Sequence, residues 1–308
     1  MKKPLVSIIM PVYNGANYLG KAVESALAQD YENKEIIVVN DGSDDGGATA
    51  AVIRSFGNKI IAVEKENGGV SSALNLGISM MKGEYFAWLS HDDMYKPDYL
   101  SRQIEILEEK KLADGNTIVC CQTSLIDAKG KKLFRPHKTL SGMKSGDEIY
   151  RLLISGGNIC YFTMLIPKAA IDKVPPFNTE FKYVQDKLFW KSLAKIGCRF
   201  FFYKEELCLL RTYRGQLSEK LKPIYKDEML LYLKPDIEAL ETKFDPALAK
   251  GIMFYASKRD LKSVKEQMKA LLKAKNAYSA ALGIKCAYIR VKYLIRQTIK
   301  KLYMLGRG

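Results

Sequence analysis

The sequence predicts an α/β protein built on an open sheet, and three observations carry that expectation. Short apolar runs of strand length alternate with amphipathic segments of helix length, the runs are continuous rather than alternating, and the runs ending at Val39 and Leu89 stop abruptly in clusters of Asp with Asn, Ser, Gly or His. Continuous apolar runs suit parallel strands covered on both faces, whose carboxyl ends open into a ligand crevice.

Leu5 to Met10 reads as the first buried strand, Pro11-Val12-Tyr13-Asn14-Gly15 as the loop at its end, and Tyr18 to Gln29 as the first helix. The β-branched run Lys34 to Val39 is the second strand and ends in Asn40-Asp41-Gly42-Ser43-Asp44-Asp45-Gly46. A helix to about Phe56 and a strand at Lys59 to Val63 continue the pattern. Gly68-Gly69 then opens a helix whose N-terminal amides are able to face an anion. Tyr85 to Leu89 has the length and aromatic content of a buried strand and runs straight into Ser90-His91-Asp92-Asp93. Asp98 to Lys111 follows as an amphipathic helix, Thr117 to Thr123 as a strand, Ala128 to Lys132 as a hairpin turn, and Arg135 to Gly142 as an exposed loop carrying an unassigned His137. Ile149 to Ile154 is helical, and Pro175-Pro176-Phe177 breaks the chain before a helix opened by Gln185-Asp186 whose other face, Leu188, Phe189, Leu193 and Ile196, is core. Phe200 to Tyr203 and Leu207 to Leu210 read as two short strands.

Composition narrows the function classes. The 308 residues, 47% hydrophobic, bury a real core as one large domain with an extension or as two smaller domains. No run approaches the roughly 18 to 20 apolar residues that cross a bilayer, and the start is too short for a secretory signal, which places the chain in the cytoplasm. Six cysteines without CxxC spacing read as reduced core thiols. The net charge of +15 is concentrated at the end: Gly251 to Gly308 holds fourteen Lys and Arg against Asp260 and Glu266, or +12 of the total. A basic terminal appendage without a nucleic-acid-binding module argues against nucleic acid as partner.

Two adjacent carboxylates at a strand end, Asp92 and Asp93, are able to hold a divalent cation against the phosphates of a nucleotide, or simply to cap the following helix. Asp186 reads equally as an ordinary acid in a first helical turn. The GxGxxG fingerprint is missing after the first strand, which counts against a dinucleotide fold.

Five ordered segments decide between these readings: VSIIMPVYNG from Val6, EIIVVNDGSDD from Glu35, NGGVSSALNLGI from Asn67, KGEYFAWLSHDDMYKPD from Lys82 and QDKLFW from Gln185. Together they resemble the non-processive bacterial glycosyltransferases of family 2. The resemblance spans Pro4 to Ser218 and implies a GT-A nucleotide-binding mixed sheet flanked by helices over residues 1–218, with a basic helical extension over 219–308. It further implies a nucleotide-sugar donor, a UDP-sugar, and an inverting transfer to a hydroxyl of a cell-surface glycan or lipid-linked acceptor. By the same resemblance Pro11, Val12, Tyr13 and Asn14 pack on the nucleotide, Asp41 accepts the imide hydrogen bond of uracil, and His91 and Asp92 contact the ribose and metal. Mn²⁺ or Mg²⁺ falls on Asp92 with Asp93 as neighbour, and Asp186 is the general base that deprotonates the acceptor. Asn67, Ser72 and Asn75 touch the diphosphate or donor sugar, with Arg211 or Arg214 serving where the family's loop carries histidine.

Three departures stand out. Ser90 replaces the first Asp of the Asp-x-Asp pattern, Gln185 replaces the Glu that precedes the base, and the Arg214 to Ser218 loop has no histidine. A nucleotide-sugar-binding homologue without catalysis, or a sugar nucleotidyltransferase, shares the same sheet. The Gln-x-x-Arg-Trp signature of processive synthases is absent.

Beyond Ser218 the expectation is helical throughout. In the last helix, within residues 277–305, Ile284, Tyr288, Val291, Ile295, Ile299, Leu302 and Leu305 recur at steps of three and four, with lysines and arginines around them. This pattern suits an anionic membrane surface, which would hold the enzyme on the inner face of the cell membrane. Docking of the stripe on the protein itself is the alternative.

Overall fold

The computed structural model describes residues 3–133 and 140–305, with side chains described to Ile295 and that of Tyr161 left aside; the expected loop from Arg135, with His137, falls largely outside them. The order of elements is β1 (Val6–Val12), α1 (Ala16–Leu27), β2 (Lys34–Asp41), α2 (Ala48–Ser55), β3 (Ile61–Lys65), α3 (Gly69–Met80), β4 (Tyr85–Trp88), β5 (Met94–Tyr95), α4 (Tyr99–Glu109), β6 (Thr117–Ile126), β7 (Lys132–Leu133), β8 (Gly142–Lys144) and α5 (Gly146–Ile154). There follow β9 (Met164–Pro167), α6 (Lys168–Ile171), α7 (Gln185–Lys195), β10 (Arg199–Arg211), α8 (Leu217–Lys220), α9 (Tyr225–Thr242), α10 (Pro246–Arg259), α11 (Lys262–Ala274) and α12 (Ala280–Leu305).

These pack as two compact units, one of residues 1–149 and 159–222, the other of residues 150–158 and 223–308. The first holds a mixed sheet in the order β3-β2-β1-β4-β9-β6-β10-β5, with β7 pairing β6 and β8 pairing β10. Strands β3, β2, β1 and β4 are parallel, in the register Val39 opposite Pro11 and Ile9 opposite Trp88. Strand β9 runs antiparallel between β4 and β6. Every residue of β1 is buried, which is why its sequence is apolar without alternation. Each such Ile or Val contributes about 1.5–3 kcal/mol relative to exposure. Strands β1 and β2 end side by side, Val12 opposite Asn40, and β4, parallel on the other flank of β1, ends opposite Ile9, so Tyr13, Asp41 and Ser90 all lie at the carboxyl ends of parallel strands.

Two expectations are corrected here. Pro11 and Val12 are not loop residues: both are buried in β1 and pair with Val39 and Asn40, so the loop begins at Tyr13. The two short strands of residues 200–210 are one strand, β10, kept parallel to β6 by register shifts around Glu206. Such irregularities absorb extra residues without ending a strand. The polar Lys204-Glu205-Glu206 interruption in the sequence therefore marks a bulge rather than a turn.

The second unit is helical. Asp236, buried, accepts the hydroxyl of Tyr150, and Asp245 accepts Arg151 while capping α10 through Leu248 N. One face of α12 packs on α10 through Leu282 and Cys286, with Arg290 donating to the carbonyl of Lys258. The opposite face, Ile284, Tyr288, Val291 and Ile295, is 54–71% exposed. No helix among the described residues is long and apolar enough to cross a membrane. All six cysteines are free.

Candidate active site

The site begins where β2 ends. Asp41 is buried, and its Oδ1 accepts Lys65 Nζ (2.7 Å) and Gly68 N (3.0 Å) while Oδ2 accepts Gly69 N (2.7 Å). The glycine amides expected to face a ligand anion thus bind a carboxylate of the chain itself, which satisfies the positive end of α3. This closeness needs Gly42, whose φ is +66° and whose Cβ, if present, would lie 2.6 Å from Asn67 N. Asn67 is exposed and Ser72 half-buried beside it, while Ser71 Oγ is buried with no hydrogen-bond partner among the described residues.

The loop after β1 is locked to the loop after β2. Asn14, at φ 49°, donates through Nδ2 to Asp44 (2.6 Å) and accepts Asp44 N (2.9 Å), while the Tyr13 hydroxyl donates to the same carboxylate (3.0 Å). Gly15 N donates to Thr49 Oγ1, and a Cβ on Gly15 would fall 2.4 Å from His91 Cδ2. The imidazole is therefore seated against the turn that follows β1. Burial pulls its pKa below the ordinary value, against the opposing pull of Asp92, so His91 is neutral at pH 7.

Asp92 and Asp93 have different fates. Asp93 is 1% exposed and accepts the backbone N–H of Arg211 at 2.9 Å, so it fastens β10 to the central turn rather than presenting an open carboxylate. Arg211, expected at the diphosphate, is also 1% exposed. Its Nε donates to the Asp92 carbonyl and its Nη1 to the carbonyls of Asp127 and Ala128, and its guanidinium stacks on Tyr18. Arg214, by contrast, is exposed. Asp92 keeps a half-buried carboxylate, to which Gln216 Nε2 donates at 3.3 Å; Gln216 also donates to Arg211 O and accepts Tyr213 N, which fixes the orientation of its amide. Tyr213 packs on Tyr18, and burial together with its hydrogen bond to Asp92 raises its pKa.

Asp186 opens α7. It is half-buried but densely surrounded, and burial raises its pKa, opposed by Lys187, whose backbone N–H it accepts at 2.7 Å. Its helix is held by an aromatic cluster. Phe177 stacks on Phe189 with centroids 4.0 Å apart and meets Trp88, the last residue of β4, edge-on at 5.7 Å. Asn75, expected at the donor, grips that segment: its amide donates to Phe177 O (2.8 Å) and accepts Phe177 N (2.9 Å). Lys65, Tyr18, Tyr213 and Gln216 were not singled out from sequence. The sequence does carry one signal for the last two, the run Tyr213-Arg214-Gly215-Gln216 directly after an apolar strand.

The described residues hold no group of three or more metal-ligating side chains. One carboxylate, Asp92, with one oxygen already bonded to an amide, still suits Mg²⁺ or Mn²⁺, because such ions bind through one or two carboxylates together with substrate phosphates. The donor set fits a cation that arrives with a diphosphate.

With Asp41 at the end of β2, Asp92 in the turn after β4 and Asp186 opening α7, the mixed sheet flanked by helices is that of a GT-A glycosyltransferase. Residues 7–174 match glycosyl transferase family 2, and the chain belongs to that family. An uncharacterized glycosyltransferase of Rickettsia typhi is 43% identical over 244 residues, 74% of this chain and 75% of the relative. One from Haemophilus influenzae is 29% identical over 75% of each chain. Among solved structures, Staphylococcus aureus TarS 1-349 in complex with UDP-GlcNAc has a TM-score of 0.59 at 17% identity, covering 98% of this chain and 92% of that one. The Pyrobaculum calidifontis mannosyltransferase PcManGT with GDP-Man and Mn²⁺ has a TM-score of 0.59 at 18% identity, covering 98% and 88%.

Two outcomes follow from this geometry. Asn75→Ala removes both bonds to the Phe177 backbone and lowers stability by about 1–3 kcal/mol, read as a shift in the denaturation midpoint. Asp186→Asn has the opposite sign. A folded pKa above the unfolded one means that ionised Asp186 costs nothing below the unfolded pKa and its full cost once the pH exceeds the folded pKa. The variant therefore melts higher than the parent at pH 7, and the gain vanishes near pH 4.

Proposed function

We propose that this protein transfers a single hexosyl or N-acetylhexosaminyl residue from a UDP-sugar to a hydroxyl of a glycan or lipid-linked acceptor, inverting the anomeric carbon. The carrying observation is Asp186: a carboxylate whose affinity for a proton is raised by burial, braced through Phe177 against the strand that leads to Asp92. A base with a raised pKa is suited to taking the proton of an attacking hydroxyl. Asp92 would hold Mg²⁺ or Mn²⁺, which when bound offsets the charge developing on the departing diphosphate. The exposed Arg214 is placed to add to that offset, and the neutral His91 packs beside the ribose. Asn67 in the loop before α3 and Ser72 in its first turn lie where the diphosphate and donor sugar would be met. The TarS and PcManGT complexes support a nucleotide-sugar donor for this fold.

The same reading takes residues 1–218 as catalytic and residues 219–308 as the extension that meets the acceptor's membrane. On α12 the exposed stripe Ile284, Tyr288, Val291 and Ile295 is flanked by exposed Lys285 and Lys292. An apolar face with adjoining cations lies in the interface of an anionic bilayer, the lysine stems reaching back to the headgroups. This supports a peripheral enzyme on the inner face of the cell membrane.

The test is release of UDP from a panel of UDP-sugars with and without Mn²⁺. One sugar releases UDP, Asp186→Ala slows acceptor-dependent transfer about 100-fold or more, and Asp92→Ala removes the metal response. Failure to bind any UDP-sugar refutes the donor. Separately, the protein co-floats with vesicles containing phosphatidylglycerol but not with neutral ones, and Ile284→Glu with Val291→Glu abolishes flotation; equal recovery with both vesicle types would refute membrane contact.

A further inference from the structure

We infer that Arg259, at the end of α10, is the centre of a binding site for a phosphate monoester, built from α9, α10 and α12 of the helical unit alone. A guanidinium taken out of water needs its N–H groups met or a counter-ion beside it. Arg259 is half-buried, and its Nη1 donates to the hydroxyl of Tyr293 at 2.9 Å. Its Nε is buried without a hydrogen-bond partner, and neither Nη2 nor any carboxylate among the described residues completes the set. Nε and Nη2 form the side-on edge of the fork, the edge that takes two oxygens of a phosphate in parallel. Of the two only Nε is buried, so an anion enters at Nη2.

The fork is held still. Its Cζ lies 5.5 Å from the ring centroid of Tyr225 on α9 and 5.4 Å from that of Tyr293 on α12, within the range of a cation over an aromatic face. The Tyr225 hydroxyl is hydrogen-bonded to that of Tyr255, one turn before Arg259 on α10. An arginine braced in this way has little side-chain freedom left to lose on binding.

Charge points the same way. Lys258 lies over the Tyr293 ring at 5.7 Å, and Arg290 donates to the Lys258 carbonyl at 3.1 Å. The one carboxylate in the group, Asp260, is shared between Lys226 at 3.2 Å and Arg290 at 3.4 Å, which leaves an excess of positive charge beside Arg259. A monoester dianion suits that excess. Basic residues commonly end a helix because they offset its dipole, which explains the charge of Lys258 and Arg259. It does not explain a guanidinium kept half-buried with its side-on edge unbonded. Arg290 and Tyr293 are half-buried, unlike the exposed stripe of Ile284, Tyr288, Val291 and Ile295, so the site is distinct from the apolar face of α12.

The full chain is titrated calorimetrically with glycerol 3-phosphate in EDTA, where a diphosphate site that relies on a cation stays weak. It is also floated with vesicles of phosphatidic acid or phosphatidylglycerol matched in surface charge. The variants are Arg259→Gln, Arg259→Lys and Lys275→Gln, each with the parent's melting transition and UDP binding, so that the donor reading is scored separately. Binding of glycerol 3-phosphate assigns a soluble phosphate; preference for phosphatidic acid over phosphatidylglycerol without it assigns a lipid headgroup. In either case both Arg259 variants weaken the monoester at least about tenfold or erase the preference, since a lysine keeps the charge but not the fork. Lys275→Gln, which removes the same charge from an exposed position, changes it by less than about twofold. Equal losses in Arg259→Gln and Lys275→Gln would mean diffuse attraction only and overturn the proposal. A parent that ignores glycerol 3-phosphate and floats equally with both vesicles overturns it without any variant.

Discussion

The site depends on a buried guanidinium. Arg211 ends β10 with its side chain out of water, and a charge so placed is tolerated only when its hydrogen bonds are met. They are met by the carbonyls of Asp92, Asp127 and Ala128, while its own N–H goes to Asp93 and its face to Tyr18. One residue therefore joins the turn after β4, the β6–β7 hairpin, the first helix and the Tyr213–Gln216 loop. The position of the Asp92 carboxylate is a consequence of that knot. Lysine could not make it, since the knot uses both the fork and the flat face of the group.

Four aspartates show how environment assigns roles that residue type does not. Asp41 is immobilised by two amides and an ammonium, Asp93 by a backbone N–H of β10, Asp92 is half-open under a neutral amide, and Asp186 is crowded without a cation strong enough to offset its burial. For the last, burial raises the pKa against the opposing pull of Lys187. Gln185 is neutral, whereas a glutamate there would push the proton affinity of Asp186 up further.

What the sequence made legible follows from periodicity. Buried parallel strands write themselves as apolar runs, and the Asp and Gly clusters at their ends mark the ligand edge, so β1 to β4 and the position of Asp41, Asp92 and Asp186 could be read directly. Long-range hydrogen bonding could not. Asn75 and Phe177 are 102 residues apart and Arg211 and Asp93 118 apart, and a polar residue near a ligand motif looks the same whether it faces the ligand or the backbone. Hence Asn75, Arg211 and Asp93, expected as ligand contacts, turn out to grip the backbone or be gripped by it. Bulged β10 was hidden for a different reason: polar residues inside a strand imitate a turn. For α12 the stripe was legible, but periodicity alone does not tell a covered face from an open one, and the open one proved to be the stripe.

The groups that donate to the Asp92 carboxylate are uncharged, and so is the imidazole of His91. His91 is neutral through burial, Gln216 presents an amide hydrogen, and Tyr213 keeps its phenol proton. Donor hydrogens from an amide and a phenol steady the Asp92 carboxylate. Ions of the Mg²⁺ class bind through one or two carboxylates together with substrate phosphates, so a lone carboxylate held this way would suffice only where phosphate oxygens come with the ion.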